Sequence, residues 1–178
     1  MKKILITSTL ASIFVFISAN SYAVGESTIS LGYAQSHAKV RGEKIDGNPK
    51  GFNIKYRYEI DNHWGVIGSF AYTYKGYNFY YSKMKVANAN INYYSLNAGP
   101  VYRFNEYISA YGLIGFAYGK AKAKAAGYSA NDSATGLAYG VGLQFNPVKN
   151  VAIDASYEYS KLNKVKEGTW MIGVGYRF

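Results

Sequence analysis

Residues 168–178 read Gly-Thr-Trp-Met-Ile-Gly-Val-Gly-Tyr-Arg-Phe. Taken alternately, Trp170, Ile172, Val174, Tyr176 and Phe178 are apolar or aromatic, while Thr169, Met171, Gly173, Gly175 and Arg177 are mostly small or polar. A period of two is a strand with one greasy face and one mixed face. A strand crossing a bilayer wants aromatics at both ends of its greasy face, and this one has them. The stretch therefore predicts a lipid-facing strand that closes a transmembrane β-barrel, and its greasy residues are expected to be its assembly signal.

The amino end supplies an address. Lys2 and Lys3 precede an apolar run from Ile4 to about Ala19, and Ser21, Tyr22 and Ala23 give a small-any-small site. This is the pattern of a cleaved secretory signal, residues 1–23, too short for a spanning helix of about 20 apolar residues. Residues 24–178 are then the barrel domain.

Composition agrees with export and with strands. Aromatics make up 17% of the chain, with 20 Tyr against 3 Pro, an excess that favours an interface-rich β protein. Cysteine is absent, so the fold must hold itself through its hydrogen-bonded ring. The mean hydropathy of −0.16 suits a barrel, because half of every strand faces inward.

Working back from the last strand, seven more period-two segments precede it, near residues 27–40, 51–60, 64–81, 86–104, 107–120, 136–145 and 151–160. The clearest alternates Phe52, Ile54, Tyr56, Tyr58 and Ile60 with Asn53, Lys55, Arg57 and Glu59. Pro100 predicts a bulge or local break in the fourth strand. In the fifth, Ile108, Ile114, Phe116 and Tyr118 are expected to point outward. Short and long connections alternate, as in an outer-membrane barrel whose short turns face the periplasm. The expected fold is all-β, an eight-stranded antiparallel transmembrane barrel, with a protruding extracellular sheet where strands three and four outrun the roughly 9 to 11 residues that cross the hydrocarbon. A soluble barrel would bury the Tyr and Phe faces, where this chain sets Gly opposite them.

These segments resemble the OmpX/Ail family of small enterobacterial outer-membrane proteins. The likeness rests on Gly32 to Ser36, Gly51 to Glu59, Gly65 to Phe70, Ala98 to Arg103, Gly142 to Pro147 and Gly168 to Phe178, with the nearest member expected to be OmpX. It covers the membrane strands and little of the loops. The resemblance implies a barrel with both termini in the periplasm and roles in adhesion, invasion and complement resistance, all of which would reside in the loops.

Inward-facing Lys55, Arg57, Glu59, Arg103, Asp154, Glu158 and Arg177 are expected to form a salt-bridged plug. An eight-stranded barrel is just wide enough for side chains to fill, so no open pore is expected. Asp154 and Glu158 lie four residues apart on one strand, about 13 Å, too far for a glycosidase pair. Asn131, Asp132 and Ser133 match a glycosylation acceptor by accident, and the Gly-x-Gly pairs at Gly140 and Gly173 open no helix. Ser36, His37 and Asp46 are a weak catalytic trio, so no enzyme, cofactor or metal site is expected.

The expected work is binding. Segments assigned to the cell exterior carry Lys39, Arg41, Lys44, Lys50, Lys75, Lys83, Lys85, Lys120, Lys122, Lys124, Lys161, Lys164 and Lys166 against Glu43, Asp46, Asp132 and Glu167, a balance of +9 from the whole chain's +10. Within this crown Tyr77, Phe79, Tyr80 and Tyr81 lie among Lys75, Lys83 and Lys85, and with Lys120, Lys122 and Lys124 they make the candidate extracellular surface. Its expected partners are anionic host glycans or matrix proteins. The alternative is a structural barrel that organises lipopolysaccharide. Outer-membrane lipid and the assembly machinery are partners in either case; no nucleic acid is expected, and the chain should be a monomer.

Overall fold

The computed structural model describes residues 25–40, 43–44, 47–81, 84–125, 128–163 and 165–178. The expected signal segment, residues 1–23, lies outside them. Eight long strands follow in order: β1 (Ser27–Val40), β2 (Lys50–Glu59), β3 (Trp64–Tyr81), β4 (Met84–Arg103), β5 (Ile108–Ala125), β6 (Tyr128–Val148), β7 (Val151–Leu162) and β8 (Val165–Arg177). Each pairs antiparallel with the next, and β1 pairs with β8 from Thr28↔Arg177 to Val40↔Val165, which closes the barrel. A two-residue strand, Glu43–Lys44, folds back on the outer end of β1.

Period-two patterning decides which way each face points. Along β8, Trp170, Ile172, Val174, Tyr176 and Phe178 are exposed, whereas Thr169, Met171 and Arg177 are buried. Val174 is 66% exposed; in water that would be a defect, and in hydrocarbon it is the contact that holds the strand in place. Ile108, Ile114, Phe116 and Tyr118 are likewise exposed on β5. Aromatics band this greasy wall at both ends. At the end that carries the short turns, Trp64 meets Tyr102 at 5.0 Å and Tyr102 meets Phe104 at 5.1 Å. At the other, Phe52, Tyr72 and Tyr94 follow one another at 5.9 and 4.9 Å, and Tyr157 meets Trp170 at 4.6 Å.

The short turns are fixed by side chains that stand in for backbone. Asp61 Oδ1 accepts from the N–H groups of His63 and Trp64, both at 2.7 Å, and Asn105 Oδ1 accepts from Tyr107 and Ile108 at 2.9 and 2.8 Å. The two N–H donors also hold the Asp61 carboxyl below its ordinary pKa, so its support of the turn is present at neutral pH and is lost as pH falls through that lowered value.

Two expectations need correction. Residues 121–135, left between the fifth and sixth expected strands, are mostly strand: the β5–β6 ladder runs from Ile108↔Phe145 to Ala125↔Tyr128. The connection expected between residues 81 and 86 shrinks in the same way, because β3 and β4 pair as far as Tyr81↔Met84, with a bulge between Phe79 and Tyr80. The protruding sheet therefore has four strands, β3 to β6, instead of one hairpin. Above the membrane no greasy face is needed, so the hydrophobic period fades while the hydrogen-bond ladder continues. At Pro100 the expected local break is present: Ala98 pairs with Ile114 and Val101 with Tyr111 in one register, while Gly99 and Pro100 have no β5 partner. Pro100 keeps its place opposite Val66 on the β3 side.

Candidate functional site

On several strands the outward face changes chemistry in a single step. Along β5 it reads Ile114, Phe116, Tyr118 and then Lys120 and Lys122, with Lys124 two positions farther along the strand; along β7, Ile153, Ala155, Tyr157, Tyr159 and then Lys161; along β8, Val174, Ile172, Trp170, Gly168 and then Lys166. Because one face of a strand holds a fixed direction, the step from aromatic to lysine marks the rim of the hydrocarbon.

Register gathers these cations into two arrays. On the protruding sheet Lys120 lies between Asn92 and Ser133, Lys122 between Asn90 and Asn131, and Lys124 between Asn88 and Ser129. No acid is directly opposite any of the three. On the other side of the rim Lys44 pairs with Lys39, Lys39 with Lys166, and Lys166 with Lys161. Four lysines thus occupy directly opposite positions on four neighbouring strands, where Cβ atoms are about 5 Å apart and like charges destabilise the pair. Pairing of this kind could not be read from sequence positions 39, 44, 161 and 166 alone.

The aromatic-cationic surface is placed only in part. Tyr77, Phe79, Tyr80, Tyr81 and Lys85 lie at the outer ends of β3 and β4, Lys124 is near the end of β5, and Lys75 and Lys120 are half-buried, with Lys122 exposed. Lys83 lies outside the described residues. Glu167, assigned to the crown from sequence, is turned into the lumen and buried.

The lumen is filled in layers. Nearest the short turns, Glu59 receives Arg57 at 3.0 Å together with Arg103 and Arg177, and Glu26 is bridged to the same two arginines. The next layer is the Lys55–Asp154 ion pair, both members 2% exposed at their side chains. Ser156 accepts from Lys55 at 2.8 Å and Tyr111 donates to Asp154 at 2.5 Å. Tyr111 finds room because its neighbour is Gly142: a Cβ there would fall 2.2 Å from the ring. Higher still, fully buried Glu158 accepts from Tyr93 at 2.6 Å, Ser95 at 3.0 Å and Asn97 at 2.7 Å. At the top Ser36 bonds Thr73 at 3.0 Å and Thr169 at 2.8 Å.

All seven residues singled out for the plug therefore face inward, but Glu158 is held by neutral donors instead of a cation. Sequence reasoning missed Tyr93, Tyr111 and Glu26. The first two sit at inward-parity positions of strands β4 and β5 and were legible; Glu26 precedes the first periodic residue and was not. Ser36 and His37 are parted by the pleat, Ser36 buried and His37 exposed, while Asp46 lies outside the described residues. Among the described residues no group of three or more His, Cys, Asp or Glu could hold a metal ion.

Comparison with known proteins places this geometry. The family model "Outer membrane protein beta-barrel domain" matches residues 7–178. The attachment invasion locus protein of Yersinia enterocolitica is 56% identical over 178 residues, covering 100% of both chains. Outer membrane protein X of Escherichia coli K12 is 47% identical over 184 residues, again covering 100% of both. Among solved structures, Ail of Yersinia pestis in complex with the heparin analogue sucrose octasulfate superposes with a TM-score of 0.82 at 59% identity, covering 86% of this chain and 99% of that one.

Proposed function

Since the chain belongs to the outer-membrane β-barrel family that includes Ail and OmpX, and by identity stands nearer Ail than the OmpX expected from sequence, we propose that it is an adhesion and invasion barrel whose cationic outer sheet binds anionic host glycans. It is an integral protein of the bacterial outer membrane. The termini and short turns face the periplasm on this reading, and the long connections face the host. The observation that carries it is the lysine array on β5, which continues the lipid-facing face of the strand above the aromatic girdle with no acid directly opposite. Complexation of the related Ail with a heparin analogue supports the same ligand chemistry. Sulfate groups on a glycan would meet Lys120, Lys122 and Lys124, and Tyr80, Tyr81 and the lysines at 83 and 85 would extend the surface, whereas Lys75, next to outward Tyr74, takes the other face of β3.

Cells expressing the chain should attach to heparin-coated surfaces, and Lys83→Glu with Lys85→Glu should reduce that attachment severalfold while heat-modifiable migration on gels stays normal. Unchanged attachment in the double variant would remove this part of β3 and β4 from the binding surface.

A second role is favoured by the four-lysine row. Its two described side chains, Lys161 and Lys166, are exposed just beyond the aromatic girdle, where phosphates of lipopolysaccharide would bridge neighbouring cations. Lys161→Glu with Lys166→Glu should sensitise expressing cells to detergent while leaving heparin attachment intact; loss of attachment with no change in detergent sensitivity would assign the row to the host ligand instead. The lumen supports both roles only by filling the barrel and stiffening it.

A further inference from the structure

Four buried polar atoms near the short-turn end of the lumen have no hydrogen-bond partner: Nε and Nη1 of Arg57, Nε of Arg177 and Oγ1 of Thr28. Register sets their owners side by side. Thr28 of β1 lies directly opposite Arg57 of β2 and, across the seam that closes the barrel, directly opposite Arg177 of β8. Thr28 is 1% exposed, Arg57 2% and Arg177 8%. All four atoms can donate, and a buried donor left unmet is costly. Neighbouring donors on three strands call for an acceptor that they share. Arg177 also lines a basin of about 670 Å³ that opens among the short turns, together with Arg103, Glu26 and Glu59. There Glu26, 56% exposed at its side chain, bridges Arg103 and Arg177.

Glu26 shows what the two guanidinium groups accept: an oxyanion presented from the basin. With its side chain turned outward, three guanidinium groups, of Arg57, Arg103 and Arg177, face the one carboxylate of Glu59, an excess that a divalent oxyanion balances. Guanidinium forks match phosphate oxygens as they match a carboxylate. A carboxylate brings two oxygens and a tetrahedral oxyanion four. Seated on Arg177, such an ion lies one strand spacing, about 5 Å, from Thr28 and two from Arg57. We propose that the basin admits a free divalent oxyanion of the phosphate class, which displaces the Glu26 carboxylate from Arg103 and Arg177 and turns its further oxygens to Thr28 and Arg57. The rim carries Asp61 and Glu106 against Lys149, so the attraction comes from the arginines. Bound there, the ion clamps β8, β1 and β2 at the seam. The site opens at the end opposite the lysine crown and is independent of the glycan reading.

The test uses the full chain refolded in octyl glucoside micelles, which carry no phosphate, with Lys120, Lys122 and Lys124 replaced by Gln to remove the crown's response. Inorganic phosphate is titrated against chloride at equal ionic strength, and the readouts are the urea midpoint and the Nε–Hε resonances of Arg57 and Arg177. Phosphate should raise the midpoint and move both resonances. Glu26→Gln removes the competing carboxylate and should tighten phosphate binding severalfold. Thr28→Val keeps the side chain's shape and removes only its hydroxyl; it should weaken phosphate binding severalfold while the midpoint in chloride stays level or rises. No response to phosphate beyond that to chloride would mean that water satisfies the row, and would overturn the site. A response undiminished in Thr28→Val would put the ion elsewhere, and weaker binding in Glu26→Gln would make that residue part of the site instead of its competitor; either result overturns the proposal. A response to phosphatidylglycerol in the micelles but not to free phosphate would move the site to a lipid headgroup and overturn it as well.

Discussion

Val174→Arg should leave the chain unable to insert. Val174 lies near the middle of the outward face of β8, paired with Leu31 of β1 on one side and Ile153 of β7 on the other. Both partners are exposed to the lipid, so a guanidinium there would have apolar neighbours on each flank. Near the bilayer midplane the charge costs about 2 to 4 kcal/mol, a large share of the roughly 5 to 15 kcal/mol that stabilises a typical domain. The cost falls on the seam where β1 and β8 meet, so it is incurred at closure itself. We propose that Trp170, Ile172, Val174, Tyr176 and Phe178 act together as the assembly signal. On a gel the variant should migrate alike before and after heating, and outer-membrane fractions should contain little of it. Val174→Ile, which keeps the face apolar, should behave as the parent does; wild-type migration of the arginine variant would count against lipid exposure of this face.

Asp154→Ala should have the second largest effect, on stability instead of insertion. It strands the Lys55 ammonium, which is 2% exposed, and removes the acceptor of Tyr111. Breaking one side of a buried ion pair costs about 3 to 5 kcal/mol because the remaining charge has nowhere to go. Removing both charges, as in Lys55→Met with Asp154→Leu, should cost clearly less, since the desolvation of two ions is avoided. Full recovery is not expected until Tyr111→Phe is added, because its hydroxyl would otherwise be buried without a partner. Urea titrations of the refolded barrel in detergent micelles would rank the three variants. If the single variant were as stable as the double, Lys55 would be reaching water and the lumen would not be closed around it.

Where the chain is in lipid, sequence and structure agree because lipid imposes the pattern. On β2, Phe52, Ile54 and Tyr56 alternate with Asn53, Lys55 and Arg57, and each side chain lies on the side its parity assigns. Outside the membrane both faces are wet, and residues such as Lys122, Asn131 and Asp132 show no period even though they are paired strand. The two-residue strand at Glu43–Lys44 is invisible for the same reason. The candidate site divides along the same line. Inward parity picks out the plug residues one by one, but which acid meets which base depends on the stagger between strands. Asp154 reaches Lys55 across 99 residues of sequence. The four-lysine row is likewise a product of register: nothing in the spacing of positions 39, 44, 161 and 166 makes them neighbours until β1 closes on β8.

The central claim is that a filled barrel carries its function on a cationic outer surface. It is tested most directly by measuring heparin binding to the chain embedded in lipid nanodiscs over a series of salt concentrations. Exposed charges are screened over about 8 Å at physiological ionic strength, so affinity should fall steeply as salt rises. It should also fall when Lys120, Lys122 and Lys124 are replaced together by Gln. Binding that is indifferent to salt and to those three substitutions would contradict the account.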